Sequence, residues 1–287
     1  MLLNKEAINM SNTKRFVLFL VDGMRPDGMM QAQTPVMDGL RASGAHTLAA
    51  RTVMPSMTLP CHTSLFLGVR PSRHGITSNL WTPQVRPVPG LFDLLQQAGL
   101  VTASFYSWEE LRDLARPGSL NVSFMIKDST GDGTADTAVA HQAAAWLGDH
   151  DFNFAFVYLG GTDIAGHLFG WMSDGYLQAI NHADSCIGKV LAALPEDCTI
   201  IITSDHGGHD QTHGTDSDED MTTPLIISGP ETADYSIIEH DVQITDIAPT
   251  IADYFEINAP GEWIGRPITK ETQFLRSVKS EAHPRLY

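Results

Sequence analysis

The stretch Phe16 to Gly23, FVLFLVDG, runs six apolar residues without alternation and closes on a carboxylate and a glycine. An uninterrupted apolar run of this length predicts a strand buried on both faces, the kind found in parallel sheets covered on each side by helices. The same texture recurs along the chain. It predicts further strands at Val101 to Tyr106, Phe152 to Leu159, Thr199 to Thr203 and Leu225 to Ser228. Helix-period stretches between them predict helices at Pro35 to Ala42, Pro60 to Leu67, Gly90 to Gln97, Thr134 to Leu147, Gly175 to Leu194 and Thr245 to Tyr254. Thr34-Pro35 reads as a helix start and Ala98-Gly99 as a stop. Ser78 to Pro89 and Asp128 to Asp136 read as loops, rich in Pro and in Gly/Asp respectively. Strands alternating with helices define the fold class as α/β: a central, mostly parallel sheet with helices on both faces.

In such sheets ligands bind beyond the carboxyl ends of the strands. FVLFLVDG ends in Asp22, FAFVYLGGTDIAGH leads to Asp163 and His167, and CTIIITSDHGG ends in Asp205 and His206. Any one of these residues alone reads as a helix cap or an Asx-turn. Jointly, carboxylates delivered to one rim by three strands repel one another unless cations neutralise them. Imidazole mixed with carboxylate suits zinc, or with looser geometry manganese or iron. His213 brings the candidates to six, enough for two divalent ions with open positions for water and substrate.

A nucleophile is expected at Thr58, just ahead of the helix predicted from Pro60, where the free N–H groups of a helix N-terminus stabilise an alkoxide or a phosphate. Cys61, one turn on, reads as packing. The other charged features carry no assigned chemistry. His141, His150, His182 and Asp184 lie on amphipathic helices without a role, and GTDSDED after His213 reads as a solvated acidic loop. Trp81 and Phe169 are candidate aromatic walls for a substrate group.

Composition sets outer limits. The chain has 287 residues, with 18 Lys+Arg against 34 Asp+Glu and a net charge of -16, which opposes a nucleic-acid or anionic-membrane partner. Three cysteines without CxxC spacing argue against a disulfide framework and for a reducing compartment. Residues 1 to 13 read as a loose leader without a cleavage site, residues 14 to 287 as one catalytic domain, and the protein as cytoplasmic.

The ordered set of motifs resembles the alkaline phosphatase superfamily, and within it the type I phosphodiesterase/nucleotide pyrophosphatase branch. VDGMRPD, MPSMTLPCHTSLFLGVRPSRHGI, TDIAGH, SDHGG and THG follow the branch's order, and TDIAPTIADYF is similar to a later superfamily segment. The resemblance implies an alkaline-phosphatase-like fold in which Asp163, His167 and His213 hold one zinc and Asp22, Asp205 and His206 the other. It places Thr58 between the ions as nucleophile and ligand, with Asn79 donating to a phosphoryl oxygen. The implied activity is hydrolysis of small phosphate esters, preferably diesters, through a phospho-threonine intermediate. A phosphomonoesterase, a phosphonate or sulfate ester hydrolase, and a non-catalytic metal- or anion-binding protein are the alternatives. Sulfatases of the superfamily use a cysteine, converted to formylglycine, where this chain has Thr58. One departure concerns specificity: only GGHDQT separates His206 from His213, where many members of the branch carry a large insertion that helps form the substrate-group pocket. A minimal cap, or none, is therefore expected.

Overall fold

The computed structural model describes residues 14–128, 134–230, 232, 237–239 and 241–269; the leader read at 1 to 13 and part of the Asp128 to Asp136 loop lie outside them. Strands run β1 Arg15–Val21, β2 Ala45–Arg51, β3 Thr102–Tyr106, β4 Val122–Met125, β5 Phe154–Leu159, β6 Cys198–Thr203 and β7 Thr222–Ser228. Helices run α1 Pro26–Gln31, α2 Pro35–Ser43, α3 Thr58–Leu67, α4 Pro71–His74, α5 Leu91–Gln97, α6 Thr134–Asp149, α7 Gly161–Phe169, α8 Asp174–Leu191, α9 Asp218–Met221 and α10 Ile247–Tyr254. The strands form one sheet in the order β2-β7-β6-β1-β5-β3-β4. β7 alone among them is antiparallel to its two neighbours, so the sheet is mostly parallel, as the unbroken apolar runs predict.

The period-2 geometry of the strands divides the core in two. Phe16, Leu18 and Leu20 of β1, with Phe154, Phe156 and Tyr158 of β5, pack against α3, α5 and α10. Val17, Phe19 and Val21, with Ala155, Val157 and Leu159, pack against α1, α2, α6 and α8. Both faces of β1 are therefore sealed, which is why FVLFLV carries no polar residue. Each fully buried side chain of this kind contributes roughly 1.5–3 kcal/mol relative to exposure.

Several predicted boundaries move for local reasons. α3 begins at Thr58 rather than Pro60, because Met57 holds extended backbone as its N-cap and Pro60 is accommodated inside the first turn. The stretch predicted from Thr245 is a 3-10 turn, Ile244–Asp246, followed by α10. Several elements escape the periodicity reading, among them the short helices α1, α4 and α9. β2 pairs antiparallel with β7 across a register shift between Thr47 and Ala50, and that irregularity interrupts its alternation. β4 is a four-residue edge strand with an alternating, half-exposed pattern. α7 is built on GTDIAGHLF, whose glycines mask a helix.

Asp184, without an assigned role from sequence, is buried on α8. Its carboxylate accepts the Val36 and Met37 N–H groups at 3.1 and 2.8 Å, capping α2 from a neighbouring helix. Asp184→Ala is expected to destabilise the fold by about 1–2 kcal/mol, the usual cost of a lost cap, seen as a lower urea midpoint with metal binding unchanged.

Candidate active site

Register decides where the carboxylates meet. Leu20 of β1 pairs with Thr203 of β6, and Val21 with Leu159 of β5. Two residues past the first pair, Asp22 and Asp205 arrive side by side beyond the sheet. Asp22 continues the Phe16, Leu18, Leu20 alternation and so faces α3, with Thr58 at its first position. α7 follows β5 after Gly160 and presents Asp163 and His167 one turn apart.

The chain brings all six sequence-predicted metal candidates into two adjoining groups, Asp22, Asp205 and His206, and Asp163, His167 and His213, in each of which the ligand atoms lie within 4.8 Å of one another. His206 Nε2 lies 3.3 Å from Asp22 Oδ1 and 3.4 Å from Asp205 Oδ2. His213 Nε2 lies 3.6 Å from Asp163 Oδ1, and His167 Nε2 3.5 Å from Asp163 Oδ2. The imidazoles of His206 and His213 stack with centroids 3.9 Å apart, so the groups share a wall. The first group is fully buried, whereas the His167 side chain is 44% exposed; the second group is the open side.

Each imidazole is held through its far nitrogen. Nδ1 of His167, His206 and His213 donates to the backbone oxygens of Gln211, Gly207 and Ser56 at 2.9, 2.8 and 2.9 Å. A carbonyl only accepts, so Nδ1 carries the proton and the Nε2 lone pair faces the site. The carboxylates are orphaned toward the same space. Asp22 Oδ1, Asp163 Oδ1 and Asp205 Oδ2 are buried with no hydrogen-bond partner among the described residues. Unpartnered buried oxygens facing imidazole lone pairs are a donor set that fits divalent cations and is costly without them.

The electrostatics carry that conflict. Burial pushes the Asp22 carboxyl well above the usual carboxylate range, and Asp205 and Asp163 push it further, against the Tyr158 hydroxyl that donates to Asp22 Oδ2 at 2.5 Å. Burial also acts upward on Asp205, but His206 and His62 outweigh it and hold it below the usual range. Burial, then His206, lowers the His213 imidazole from its ordinary value.

The two loops after the strands are shaped by close approach. Gly23 has φ +67°, and its carbonyl accepts from Trp171 Nε1 and the Tyr176 hydroxyl, both at 2.9 Å. At Gly207 and Gly208 a Cβ would stand 2.0 Å from the Glu219 oxygen and 2.2 Å from the Trp171 ring; only glycine lets the chain pass there. His209 and Asp210 are the connector between the two groups. His209 Nδ1 lies 2.7 Å from Asp220 Oδ1, and Asp220 also accepts from the Thr215 N–H and hydroxyl at 2.8 Å each. Asp220 is thus a buried anchor of the loop, a correction to the solvated reading of GTDSDED.

Thr58 opens α3 with its Oγ1 3.3 Å from His206 Nε2. Asn79 accepts the Leu59 N–H through Oδ1 at 2.9 Å, tying its loop to the helix start. Cys61 is buried, its thiol pushed far up by that burial, and plays the packing role read for it. Trp81 lines a cleft with Leu59 and Thr63, whereas Phe169 packs over Gly175.

The chain's similarities follow the site. A profile of the Metalloenzyme superfamily matches residues 14–259. The chain belongs to that superfamily. Ectonucleotide pyrophosphatase/phosphodiesterase family member 7 of Mus musculus is 23% identical over 313 residues, taking in 95% of this chain and 63% of that protein. Phosphopentomutase of Clostridium botulinum is 33% identical over 97 residues, 34% of this chain and 24% of that protein. The chain therefore spans less than two thirds of either relative's length. Among solved structures, a 2-O GAG sulfatase superposes with a TM-score of 0.77 at 17% identity, covering 92% of this chain and 75% of that one. Murine ectonucleotide pyrophosphatase/phosphodiesterase 5, an inactive variant in complex with AMP, gives 0.75 at 15% identity, covering 91% and 99%. These superpositions establish the alkaline-phosphatase-like α/β fold. Membership of the superfamily and the Asp/His donor set together call for divalent metal ions.

Sequence reasoning missed three supporting residues: His62, Tyr158 and Asp136. Tyr158 was within reach, since it alternates with Phe154 and Phe156 and must face α3. Asp136 offered no signal. Buried at the start of α6, it accepts the Gly160 and Gly161 N–H groups at 2.8 and 2.9 Å, fixing the start of α7 and with it Asp163. Burial raises its carboxyl to about 7 despite those bonds. A raised folded-state value gives stability that is present below the unfolded pKa and lost as pH rises through the folded one. The advantage of wild type over Asp136→Asn should therefore shrink between pH 5 and pH 8, read from urea denaturation at each pH.

Proposed function

We propose that this chain is a two-metal hydrolase of small phosphodiesters, with Thr58 as the nucleophile. The observation that carries the reading is the position of Thr58 Oγ1. It stands at the first residue of α3, 3.3 Å from His206 Nε2, next to two groups of three ligands each. Asp22, Asp205 and His206 would hold one ion and Asp163, His167 and His213 the other, with Thr58 between them; zinc suits this set best. When bound, such a pair lowers the pKa of a hydroxyl nucleophile and neutralises charge developing on phosphoryl oxygens.

The chain's own residues supply the rest. Thr58 Oγ forms a bond to phosphorus as the bond to the leaving alkoxide breaks, giving a phospho-threonine. Water then forms the new P–O bond and Thr58 Oγ leaves. At the start of α3 the Thr58 N–H would face an equatorial oxygen, the Leu59 N–H being held by Asn79 and Pro60 having none. Asn79 adds a donor: with Oδ1 committed to the Leu59 N–H, its NH2 end is left for a phosphoryl oxygen.

Two observations support a diester over a terminal phosphate dianion, which wants an arginine or lysine clamp. Arg25 is held by Asp27 and the Gly208 oxygen, and Arg73 by Glu262 and the Arg86 oxygen. Against a sulfatase stands Thr58 itself, with the nearest cysteine, Cys61, buried inside the helix. The three free cysteines are all buried thiols, which supports a reducing, cytoplasmic location. No helix among the described residues is long and apolar enough to cross a membrane.

A cleft of about 230 Å³ beside Leu59, roofed by Trp81, Thr82 and Pro83, would take the substrate's organic arm.

Thr58→Ala should lower turnover of bis(4-nitrophenyl) phosphate by more than about three orders of magnitude while metal content stays at two ions per chain. Full activity in that variant would exclude the mechanism, and an inert, metal-loaded wild type across an ester panel would favour a binding protein. 4-Nitrophenyl phosphate and 4-nitrophenyl sulfate should turn over more slowly than the diester. Trp81→Ala should raise KM for the aryl diester by about 5–10-fold, the worth of one aromatic contact, with kcat little changed.

A further inference from the structure

One turn into α3, His62 is fully buried, yet its surroundings are not those of a residue that only fills space. Its Nδ1 lies 2.8 Å from the backbone oxygen of Thr58 and 3.4 Å from Asp205 Oδ2. Both neighbours only accept when the carboxylate is ionised, so Nδ1 carries the proton: it donates to the Thr58 oxygen and turns the positive edge of the ring toward Asp205 Oδ2 without hydrogen-bonding it. At the other side of the ring, Nε2 has no partner among the described residues. There the imidazole meets the rings of Phe156 and Tyr158 edge-on, with centroids 6.1 and 5.5 Å away. An unpaired buried nitrogen costs stability, a cost that leucine would avoid. The compensating gain lies on the Nδ1 side, where the groups touched are the backbone of Thr58 and one of the orphaned carboxylate oxygens.

Ser56 ties the approach to α3 to the loop after β6, through His213 Nδ1 and the Thr215 oxygen, while the first turn itself is lightly held. Met57 provides no side-chain cap, and Asn79 holds only the Leu59 N–H. β6 and α3 are separate elements whose relative placement sets the distance from Thr58 Oγ to Asp205 and His206. The His62 imidazole, bonded to the Thr58 oxygen and 3.4 Å from Asp205 Oδ2, spans that junction beside the 3.3 Å approach of Thr58 Oγ1 to His206 Nε2.

We propose that His62 is a positioning residue: its Nδ1–H, bonded to the Thr58 oxygen, holds its positive edge against Asp205 Oδ2 3.4 Å away, so that nucleophile and buried metal half-site keep one spacing. This rests on the metal-hydrolase reading above. The imidazole touches neither substrate nor ion and acts through Thr58 and Asp205. Outer partners of this kind are worth on the order of 10–100-fold in metal affinity or activity.

The test compares wild type, His62→Leu, His62→Asn and His62→Gln as full-length chains. Zinc affinity is measured by competition with a chromophoric chelator, kcat and KM with bis(4-nitrophenyl) phosphate, and folding by Tm. Asparagine places an amide N–H where Nδ1 stands, glutamine places it one bond farther out, and leucine keeps bulk without a donor. Expected for folded His62→Leu is a 10–100-fold weaker affinity for one of two zinc ions, with kcat reduced by a similar factor and KM within about 3-fold. His62→Asn should recover both to within about 5-fold, and His62→Gln should resemble leucine. Wild-type affinity and kcat in His62→Leu would overturn the proposal, as would a folded His62→Asn as impaired as His62→Gln. If leucine does not fold, the asparagine and glutamine pair decides. Wild type that binds zinc without ester turnover removes the hydrolase reading, while the affinity series still tests His62; wild type that binds no zinc overturns both.

Discussion

Asp22 and Asp205 are brought side by side by the pairing of β1 with β6, beyond the end of a sheet whose two faces are both sealed by helices. Water cannot solvate the pair, and three of the carboxylate oxygens at the site have no donor among the described residues. Two buried carboxylates at this spacing oppose one another, and the chain answers with imidazole lone pairs and a tyrosine hydroxyl instead of arginine or lysine. Neutral ligands next to charged ones leave a net negative hollow, the condition under which divalent cations bind with the greatest gain. Most features of the surrounding structure serve that hollow.

The support is layered. Three backbone carbonyls orient three imidazoles, so the ligand atoms are fixed by main chain that cannot rotate away. Asp136 fixes α7 from below, and Asp220 with His209 closes the short loop between His206 and His213. Trp171 packs against Gly208 and bonds the Gly23 oxygen, so one indole braces the turns after β1 and β6 together. Only six residues, GGHDQT, separate His206 from His213, and the second ligand group stays open to solvent at His167.

Much of this was legible in FVLFLVDG and its counterparts. Unbroken apolar runs dictate strands buried on both faces, and the residue after such a run must emerge at the sheet's rim, so Asp22, Asp163 and Asp205 could be named without coordinates. The helix start at Pro35 was legible as well, because the fixed φ of proline suits the first turn, whereas the short α1 and α4, which also open on proline, carried too little periodicity to be read. β2 and β4 were not, since an irregular strand and a short edge strand borrow their order from neighbours. Asp184, Asp136 and Asp220 looked like surface or loop acids; Asp184 and Asp136 proved to be buried acceptors for N–H groups of other segments, and Asp220 a buried anchor of its own loop.

The sequence by itself determined the fold class, the rim on which chemistry collects and the residue types delivered there, because burial pattern and strand polarity are local properties of the chain. Tertiary structure alone decided how closely the ligands of each group approach one another, which oxygens go unpartnered, and that His62 and Tyr158 stand behind them. Those facts depend on inter-strand register and on the seating of α3 and α7 against the sheet. They are distances between segments 40 to 180 residues apart in the chain, and no periodicity encodes them.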